Sequence, residues 1–379
     1  MSWRSTCCKT KTAICTSTRQ RNYSPNTAKR KHALLFPGQG AQHVGTFSIH
    51  HNVATLEIVS LNVSISYNTY TIGMGKDIYS VYQVARTVLD EAEEAVAGGL
   101  KSLMFDGPQP VLTQTENAQP AILSHSIALL RVLETEYGFD VRHCTYILGH
   151  SLGEYSALVA AQSVSLSDAI KLVRLRGQAM AQCIHPSRDT AMKALVVTGS
   201  LEEIESIIQR MQTQLPPGEV AEIANINSKS QVVLSGTTKG VEYASSILQT
   251  KRLAGRGISL PVSAPFHCSL MQPASLKMRE ALSKIAFQDP VTDVISNVTG
   301  RPFESASEIP DLLVRQITSP VQWLRSLRYA NEDQVHDWVC VGPTKVQANL
   351  VKKDFPQEII KAISTADDVK TVGPKLKDL

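Results

Sequence analysis

Residues 146–158 constrain the fold of this chain more than any other stretch. An apolar strand runs into Gly149-His-Ser151-Leu-Gly153, and a helix-like run rich in small residues follows at once. This is the pattern of a strand–elbow–helix turn, in which the two glycines allow a sharp bend. The turn predicts Ser151 as a nucleophile at the positive end of a helix, with the next N–H, from Leu152, available to an oxyanion. The alternative is an ordinary strand–helix turn that contains a serine.

The basic character of the chain is confined to its first residues. Residues 1–31 carry eight Lys and Arg and no Asp or Glu, and removing these eight from the net charge of +4 leaves −4. Acid-free N-termini rich in Arg, Lys and Ser are typical of mitochondrial presequences. We therefore expect residues 1–32 to be a disordered presequence and the chain to reside in the mitochondrial matrix; a disordered tail without a targeting role is the alternative.

Composition argues against several classes of protein. The mature charge does not indicate a nucleic-acid partner, and no apolar run is long enough for a membrane-spanning helix, so we expect neither nucleic acid nor membrane as a partner. The seven cysteines contain no Cys-x-x-Cys pair and indicate neither zinc nor a disulfide framework. We expect no metal and no cofactor.

The predicted order of strands and helices changes at residue 193 and divides the chain. Residues 193–263 read as strand, helix, two strands, helix and strand, with the last strand near Gly257–Val262; this is the order of a ferredoxin-like module. The predicted fold class is therefore α/β: an α/β-hydrolase-like core with a parallel sheet and a nucleophile elbow, plus an inserted ferredoxin-like (βαββαβ) subdomain. The core would comprise residues 33–192 and 264–353, followed by a C-terminal tail at 354–379. In the core we expect helices over 82–96, over 119–137 from near Pro120, and over Ser167–Cys183.

Residues 45–72 do not fit the surrounding sequence. They contain one charged residue, Glu57, and the flanking segments read as one continuous sequence when these residues are removed. A long unstructured insert in a compact domain is uncommon. The segment is either a retained intron in the gene model or a genuine loop insertion, and transcript reads that cross it distinguish the two.

Three further features could serve a nucleophilic serine. His267 lies in a Pro-bounded turn just after the predicted insert and is the best candidate base, whereas His150, beside the serine on a tight turn, is a poor one. Arg176 interrupts the apolar face of its helix and therefore needs an anionic partner, structural or substrate-borne, unless it snorkels at the edge of that face; Arg174 should point to solvent. The glycines of the loop 38–42 expose backbone N–H groups that could complete an oxyanion hole.

Taken together, the motifs resemble the malonyl-CoA:acyl-carrier-protein transacylases, the acyltransferase family of fatty-acid and polyketide synthesis. The likeness covers residues 33–44 and 73–352. It rests on seven motifs, namely FPGQGAQ (36–42), TENAQPA (115–121), GHSLGEYSA (149–157), LRG (175–177), PFHCSLM (265–271), VRQ (314–316) and VGP (341–343).

The resemblance implies a role for each matching residue. Ser151 would be the nucleophile, His267 the general base and acid, and Arg176 the clamp for a malonyl carboxylate. The backbone N–H groups of Gln39 and Leu152 would form the oxyanion hole. Two further positions correspond to family roles: Gln316 would orient the histidine through its backbone carbonyl, and Phe266 resembles the residue associated with malonyl selection.

The activity implied by the resemblance is ping-pong transfer of the malonyl group from malonyl-CoA to the phosphopantetheine thiol of acyl carrier protein, for fatty-acid synthesis. The implied partners are malonyl-CoA and acyl carrier protein, and we expect a monomer. Two alternatives remain open from the residues. A serine hydrolase or thioesterase would share the elbow, and a carrier-protein-binding paralogue without activity would share the surface.

Overall fold

The structure is a computed structural model that describes residues 30–39, 73–185, 187–377 and 379. The presequence predicted at 1–32 lies outside these residues except at its last three positions. The anomalous segment 45–72 lies wholly outside them, as do the last three residues of the loop 38–42.

Nine strands and fourteen α-helices form the described chain. The strands are β1 (Lys31–Phe36), β2 (Tyr146–Gly149), β3 (Thr190–Val197), β4 (Ala221–Ser228), β5 (Gln231–Thr237), β6 (Ala254–Ser259), β7 (Val294–Ile295), β8 (Val335–Val341) and β9 (Ile359–Ile363). The helices are α1 (Lys76–Val81), α2 (Gln83–Ala95), α3 (Leu100–Asp106), α4 (Gln109–Leu112), α5 (Thr115–Tyr137), α6 (Gly153–Ala160), α7 (Leu166–Gln182), α8 (Leu201–Gln212), α9 (Thr238–Thr250), α10 (Gln272–Leu282), α11 (Ile309–Gln316), α12 (Trp323–Glu332), α13 (Val346–Asp354) and α14 (Ala366–Val372).

A parallel sheet of five strands, in the order β7-β2-β1-β8-β9, forms the larger core. Alternate residues of β1 face the two opposite layers of helices that cover the sheet. Leu34 and Phe36 pack towards the helices α2, α5 and α7, whereas Ala33 and Leu35 pack towards α12 and α13. Because helices cover both faces, residues 32–36 of β1 and all of β2 are buried, which explains the apolar runs at 33–36 and 146–148.

Sheet order places two loops side by side. Strands β1 and β2 are neighbours in register, with Phe36 opposite Gly149, so their carboxyl ends meet at the same edge. The loop that begins at Pro37 therefore lies against the turn that carries Ser151. In open α/β sheets ligands bind at this edge.

A second sheet of four antiparallel strands, in the order β4-β5-β3-β6, is formed by residues 190–259. Along the chain its elements follow the order strand, helix, two strands, helix, strand. One face packs on α8 and α9 through residues such as Ile204 and Val241. The opposite face carries a small apolar cluster that includes Met192, Ala194 and Val233. This second face looks towards the edge of the parallel sheet.

Several predicted boundaries differ from the structure. Strand β1 begins at Lys31, because Lys31 pairs with Val335 and its ammonium contacts Asp333 at 2.7 Å, so the last two residues of the predicted presequence belong to the core. Strand β6 ends at Ser259 rather than near Val262, because its pairing with β3 ends there.

The predicted C-terminal tail, 354–379, is part of the parallel sheet. Residues 359–363 form β9, paired in register with β8, and α14 packs beside it. The strand was missed because an edge strand is only half covered: Ile359 is exposed and Lys361 reaches Asp337 at 2.8 Å.

Helix α5 starts at Thr115 rather than near Pro120. A proline inside a helix leaves the carbonyl four residues earlier without its donor. Here Arg174 supplies that donor, because its Nη1 contacts the Glu116 carbonyl at 2.8 Å and also the Asn117 side chain. The prediction that Arg174 points to solvent is therefore wrong: it joins α7 to α5.

Within the described residues, no helix combines the length and apolarity required to cross a bilayer.

We expect Gly177→Ala to lower the free energy of unfolding by roughly 1–3 kcal/mol, the usual cost of overpacking. A Cβ at Gly177 would lie 2.5 Å from Glu116 Cα and 2.7 Å from Thr115 O, both backbone atoms of the neighbouring helix α5. Denaturant unfolding measures the difference. Gly255→Ala is the matched control, since a Cβ there meets nothing closer than Val196 O at 3.8 Å. Equal losses in the two variants would contradict this account of the contact between α5 and α7.

Candidate active site

The turn between β2 and α6 holds Ser151 in a left-handed conformation, with φ of 53°. A residue other than glycine persists there only when its surroundings impose it. The glycines on either side make the turn possible: a Cβ at Gly149 would lie 1.8 Å from Gly153 O, and one at Gly153 would lie 2.6 Å from Phe36 O. The turn thus places Ser151, largely buried, just before the first residue of α6, where partial positive charge collects.

Asn297, just beyond β7, ties this turn to the sheet. Its Oδ1 accepts the Ser151 backbone N–H at 2.6 Å, and its Nδ2 donates to Gly149 O at 2.6 Å. Two hydrogen bonds from one side chain therefore oppose the strain at Ser151. Sequence reasoning did not select Asn297, although a polar residue close after the apolar pair Val294 and Ile295 was a usable signal.

Ser151 and His267 are brought together from positions far apart in the chain. Ser151 Oγ lies 2.7 Å from His267 Nε2, and His267 Nδ1 lies 2.8 Å from the backbone carbonyl of Gln316. Because a carbonyl can only accept, Nδ1 carries the proton and Nε2 is left as the acceptor for the serine hydroxyl. His267 also has a left-handed backbone, with φ of 58°.

The pKa of His267 is lowered to about 3, first by burial and then by the positive charge of Arg176, while the hydrogen bond to Gln316 acts in the opposite direction. The ring is therefore neutral at physiological pH, which is the state that a general base requires.

Arg176 is buried in the middle of the site. Its Nη1 donates to Gln119 Oε1 and its Nη2 to Gln316 Oε1, both at 2.8 Å. Nη2 also lies 3.2 Å from Ser151 Oγ, and Nε has no partner among the described residues. The contacts are to neutral oxygens, and no carboxylate of the described residues forms an ion pair with the guanidinium. A buried cation held in this way is suited to an anionic ligand.

Glu154 is a further residue that sequence reasoning missed. It is fully buried in the first turn of α6, and it accepts from the Asn297 backbone N–H at 3.2 Å and from Gln316 Nε2. Burial raises its pKa to about 7, opposed by these hydrogen bonds and by the charge of Arg176. Glu154 touches Arg176 only through Gln316, whose amide oxygen accepts from the guanidinium. An acidic residue in the first turn of a helix is common because it complements the helix dipole, so its residue type alone gave no signal of this role.

The remaining predicted residues surround the serine. Leu152 follows Ser151 directly and precedes the first residue of α6, and Gln39 lines the cavity beside the serine. Gln39 Oε1 accepts from Thr115 Oγ1 at 2.6 Å. Phe266 is half-buried and lines the cavity. His150 turns away from Ser151, and its Nε2 lies 3.0 Å from Asn227 Oδ1 of β4.

A cavity over Ser151 separates the two sheets. Its floor is the edge of the parallel sheet, with Ser151, His267 and Arg176, and part of its wall is the apolar cluster of the antiparallel sheet. The arrangement can activate a serine hydroxyl for attack on a carbonyl, hold the resulting oxyanion, and bind a carboxylate on the acyl group. No cluster of three or more His, Cys, Asp or Glu side chains that could hold a metal occurs in the ranges described above.

Comparison with known proteins relates this geometry to one family. The family described as acyl transferase domain matches residues 69–373. A malonyl CoA-acyl carrier protein transacylase of Bacillus subtilis strain 168 is 36% identical over 348 residues, which are 92% of this chain and 98% of the relative.

Solved structures are similar over the same extent. An acyl-carrier-protein-S-malonyltransferase from Bartonella henselae superposes with a TM-score of 0.77 at 33% identity, covering 91% of this chain and 99% of the other. A malonyl-transacylase solved in complex with its type II PKS acyl-carrier protein gives 0.76 at 30% identity, with coverage of 91% and 99%.

We expect the ring of His267 to show no titration between pH 5 and 8 in an NMR titration, with the signal assigned by its loss in His267→Asn. In the unfolded chain the same ring titrates near 6.5, as a spectrum in denaturant would record. The pKa of His267 is lower in the folded chain than in the unfolded chain, so the unfolded chain takes up its proton at a higher pH. This residue therefore lowers the free energy of unfolding progressively as the pH falls below about 6.5. An inflection between pH 5 and 8 in the folded protein would refute the neutral-base assignment.

Proposed function

Because the chain belongs to the acyl transferase domain family, we infer that it is an acyl-carrier-protein S-malonyltransferase. It transfers the malonyl group of malonyl-CoA to acyl carrier protein for fatty-acid synthesis, the activity that names its relatives. One observation carries the assignment of this activity to particular residues. Ser151 Oγ lies between His267 Nε2 at 2.7 Å and Arg176 Nη2 at 3.2 Å.

In the proposed first half-reaction, Ser151 Oγ attacks the thioester carbonyl of malonyl-CoA while His267 Nε2 takes the hydroxyl proton. The backbone N–H groups of Leu152 and Gln39 hold the oxyanion of the tetrahedral intermediate. The intermediate collapses by breaking the carbon–sulfur bond, and the departing thiolate of CoA takes the proton from His267. The product is a malonyl-serine ester.

The second half-reaction is the reverse with a different thiol. The phosphopantetheine thiol of the carrier gives its proton to His267 and attacks the ester carbonyl, and Ser151 leaves and recovers the proton. The hydrogen bond from His267 Nδ1 to the Gln316 carbonyl keeps the ring in one tautomer through both steps.

Arg176 is proposed to bind the free carboxylate of the malonyl group. The carboxylate would join the two carboxamide oxygens that now hold the guanidinium, and would add the negative charge that they lack. An acetyl group offers no such partner and leaves the cation unpaired. Phe266, on the cavity wall, is proposed to help select the malonyl group.

We further propose the finer description of the fold. The elbow between β2 and α6 supports an α/β-hydrolase-like core. The sheet order β4-β5-β3-β6, with two helices on one face, supports an inserted ferredoxin-like subdomain.

The cellular setting is a separate proposal. The acid-free basic segment at the start of the chain supports import into the mitochondrial matrix. Ser151, His267 and Arg176 already lie within hydrogen-bonding distance without a residue from a second copy, which supports action as a monomer.

Intact mass measured after brief exposure to malonyl-CoA tests the activity. We expect one malonyl adduct on the full chain, none on Ser151→Ala, and discharge of the adduct when the phosphopantetheinylated carrier is added. A version lacking residues 45–72 is measured in parallel. An adduct that water removes as fast as the carrier would support a hydrolase instead. A folded protein without an adduct would support the binding-paralogue alternative.

We expect Arg176→Ala to reduce the preference for malonyl-CoA over acetyl-CoA by roughly 100-fold, since hydrogen bonds to charged groups contribute about 1.5–3 kcal/mol each. The preference is the ratio of the two kcat/KM values for serine acylation. Arg174→Ala is the matched control, because Arg174 lies on the same helix but contacts the backbone of α5 rather than the cavity. An unchanged preference in Arg176→Ala would show that the clamp is assigned to the wrong residue.

A further inference from the structure

Gln347 is a buried side chain that the mechanism above does not use. It lies in the first turn of α13, is 1% exposed, and lines the same cavity as Ser151. Neither its Oε1 nor its Nε2 has a hydrogen-bond partner among the described residues. A carboxamide thus faces the active-site cavity with neither its donor nor its acceptor paired within the described residues.

An unpartnered buried carboxamide is costly, at about 1–3 kcal/mol for each unsatisfied group. Its neighbours on α13 that line the cavity, Val346 and Leu350, are apolar and offer no side-chain partner. Two other carboxamides on the cavity wall are already paired, Gln119 with Arg176 and Asn227 with His150. A ligand that occupies the cavity is therefore the natural partner of Gln347.

The position of Gln347 limits which part of a substrate it can meet. Strand β8 leads into α13 and lies two strands from β2 in the parallel sheet. Neighbouring strands are about 4.8 Å apart, so the ends of β8 and β2 are separated by roughly 10 Å. Gln347 comes six residues after the end of β8 and, among the described residues, has no hydrogen bond to Ser151, His267 or Arg176, so it is a partner for the substrate chain beyond the reacting carbonyl.

The hydrogen-bonding chemistry of the Gln347 side chain further limits which chemical group of a substrate it can bind. A carboxylate or a phosphate offers only acceptors and would satisfy the NH₂ group alone, whereas a secondary amide offers one donor and one acceptor and can satisfy both ends. The thiol-bearing arm common to CoA and to the carrier contains such amides, the nearer one two methylene groups from the sulfur.

We propose that Gln347 is a specificity-determining residue that binds a secondary amide of the pantetheine arm, in both the donor and the acceptor of the malonyl group. The proposal rests on the proposed function. It adds a requirement that the serine, the histidine and the arginine do not impose: the thiol must be carried on an amide-containing chain.

The test compares Gln347→Leu with the wild-type full chain on three donors. These are malonyl-CoA, malonyl-pantetheine, and the malonyl thioester of ethanethiol, which contains no amide. We expect kcat/KM for acylation of Ser151 to fall about 10-fold with the first two donors, the usual scale of a lost hydrogen bond, and to change less than twofold with the third. Gln347→Met, an unbranched replacement of similar length, repeats the comparison if the leucine variant folds poorly.

A matched control makes the same chemical change away from the cavity. Gln249→Leu, on α9, loses a carboxamide that bonds only Ser245 at 3.2 Å among the described residues. We expect it to leave all three kcat/KM values unchanged.

The second half-reaction, discharge of the malonyl-serine ester, tests whether the carrier contacts Gln347 as CoA does. Discharge of the malonyl-serine ester onto the phosphopantetheinylated carrier should also slow about 10-fold in Gln347→Leu, whereas discharge onto ethanethiol should not. Normal discharge onto the carrier would overturn the assignment of a shared arm.

Two further results would overturn the proposal while leaving the proposed function intact. An equal loss with all three donors would make Gln347 a structural residue, and no loss with any donor would mean that buried water satisfies it. Failure of the wild-type chain to acylate Ser151 from any donor is a different outcome, because it would refute the proposed function itself.

Discussion

The buried guanidinium of Arg176 is the constraint around which the site is organised. A cation removed from water needs several oxygen partners, and here they come from α5, from the end of α11 and from the serine itself. Each partner fixes one element relative to α7. The close contact of α7 with α5 at Gly177 follows from the same need, because a larger residue would hold the two helices apart.

Gln316 connects the buried guanidinium of Arg176 to the reacting groups through hydrogen bonds. Its amide oxygen accepts from Arg176, its amide nitrogen donates to Glu154 and to the Ser151 carbonyl, and its backbone carbonyl accepts from His267. One residue therefore sets the position of the cation, the tautomer of the base and the turn of the nucleophile. Hydrogen-bonded networks of this kind are sensitive to the loss of any member, because each remaining polar group is then buried without a partner.

The two sheets have different roles: the core built on the parallel sheet carries the reacting groups, and the antiparallel sheet encloses the cavity. The core built on the parallel sheet supplies the reacting groups: Ser151 follows the carboxyl end of β2, Arg176 lies on α7, and His267 precedes α10. The antiparallel sheet supplies an apolar cluster, Met192, Ala194 and Val233, to the opposite wall of the cavity. Low polarity on that side strengthens the electrostatic contacts on the other.

Much of the fold was accessible from local sequence. The elbow depends on Gly149 and Gly153, because a sharp turn is encoded by neighbouring residues. The edge strand β9 was not, since a half-exposed strand lacks a continuous apolar pattern. Pro120 misplaced the start of α5, because the donor that makes a proline tolerable inside that helix is Arg174 of another helix.

The sequence by itself determined the residue types of the site: a serine on a glycine elbow, a histidine after the antiparallel sheet, and an arginine on an apolar helix face. Only the tertiary structure decided which groups support them. Asn297 is 146 residues from Ser151, and Gln316 is 140 from Arg176. The roles of Glu154, Asn297 and Gln347 likewise depend on burial and on neighbours from distant segments. A local pattern records the spacing of residues along the chain, whereas hydrogen bonding and desolvation depend on distances that only the packed chain sets.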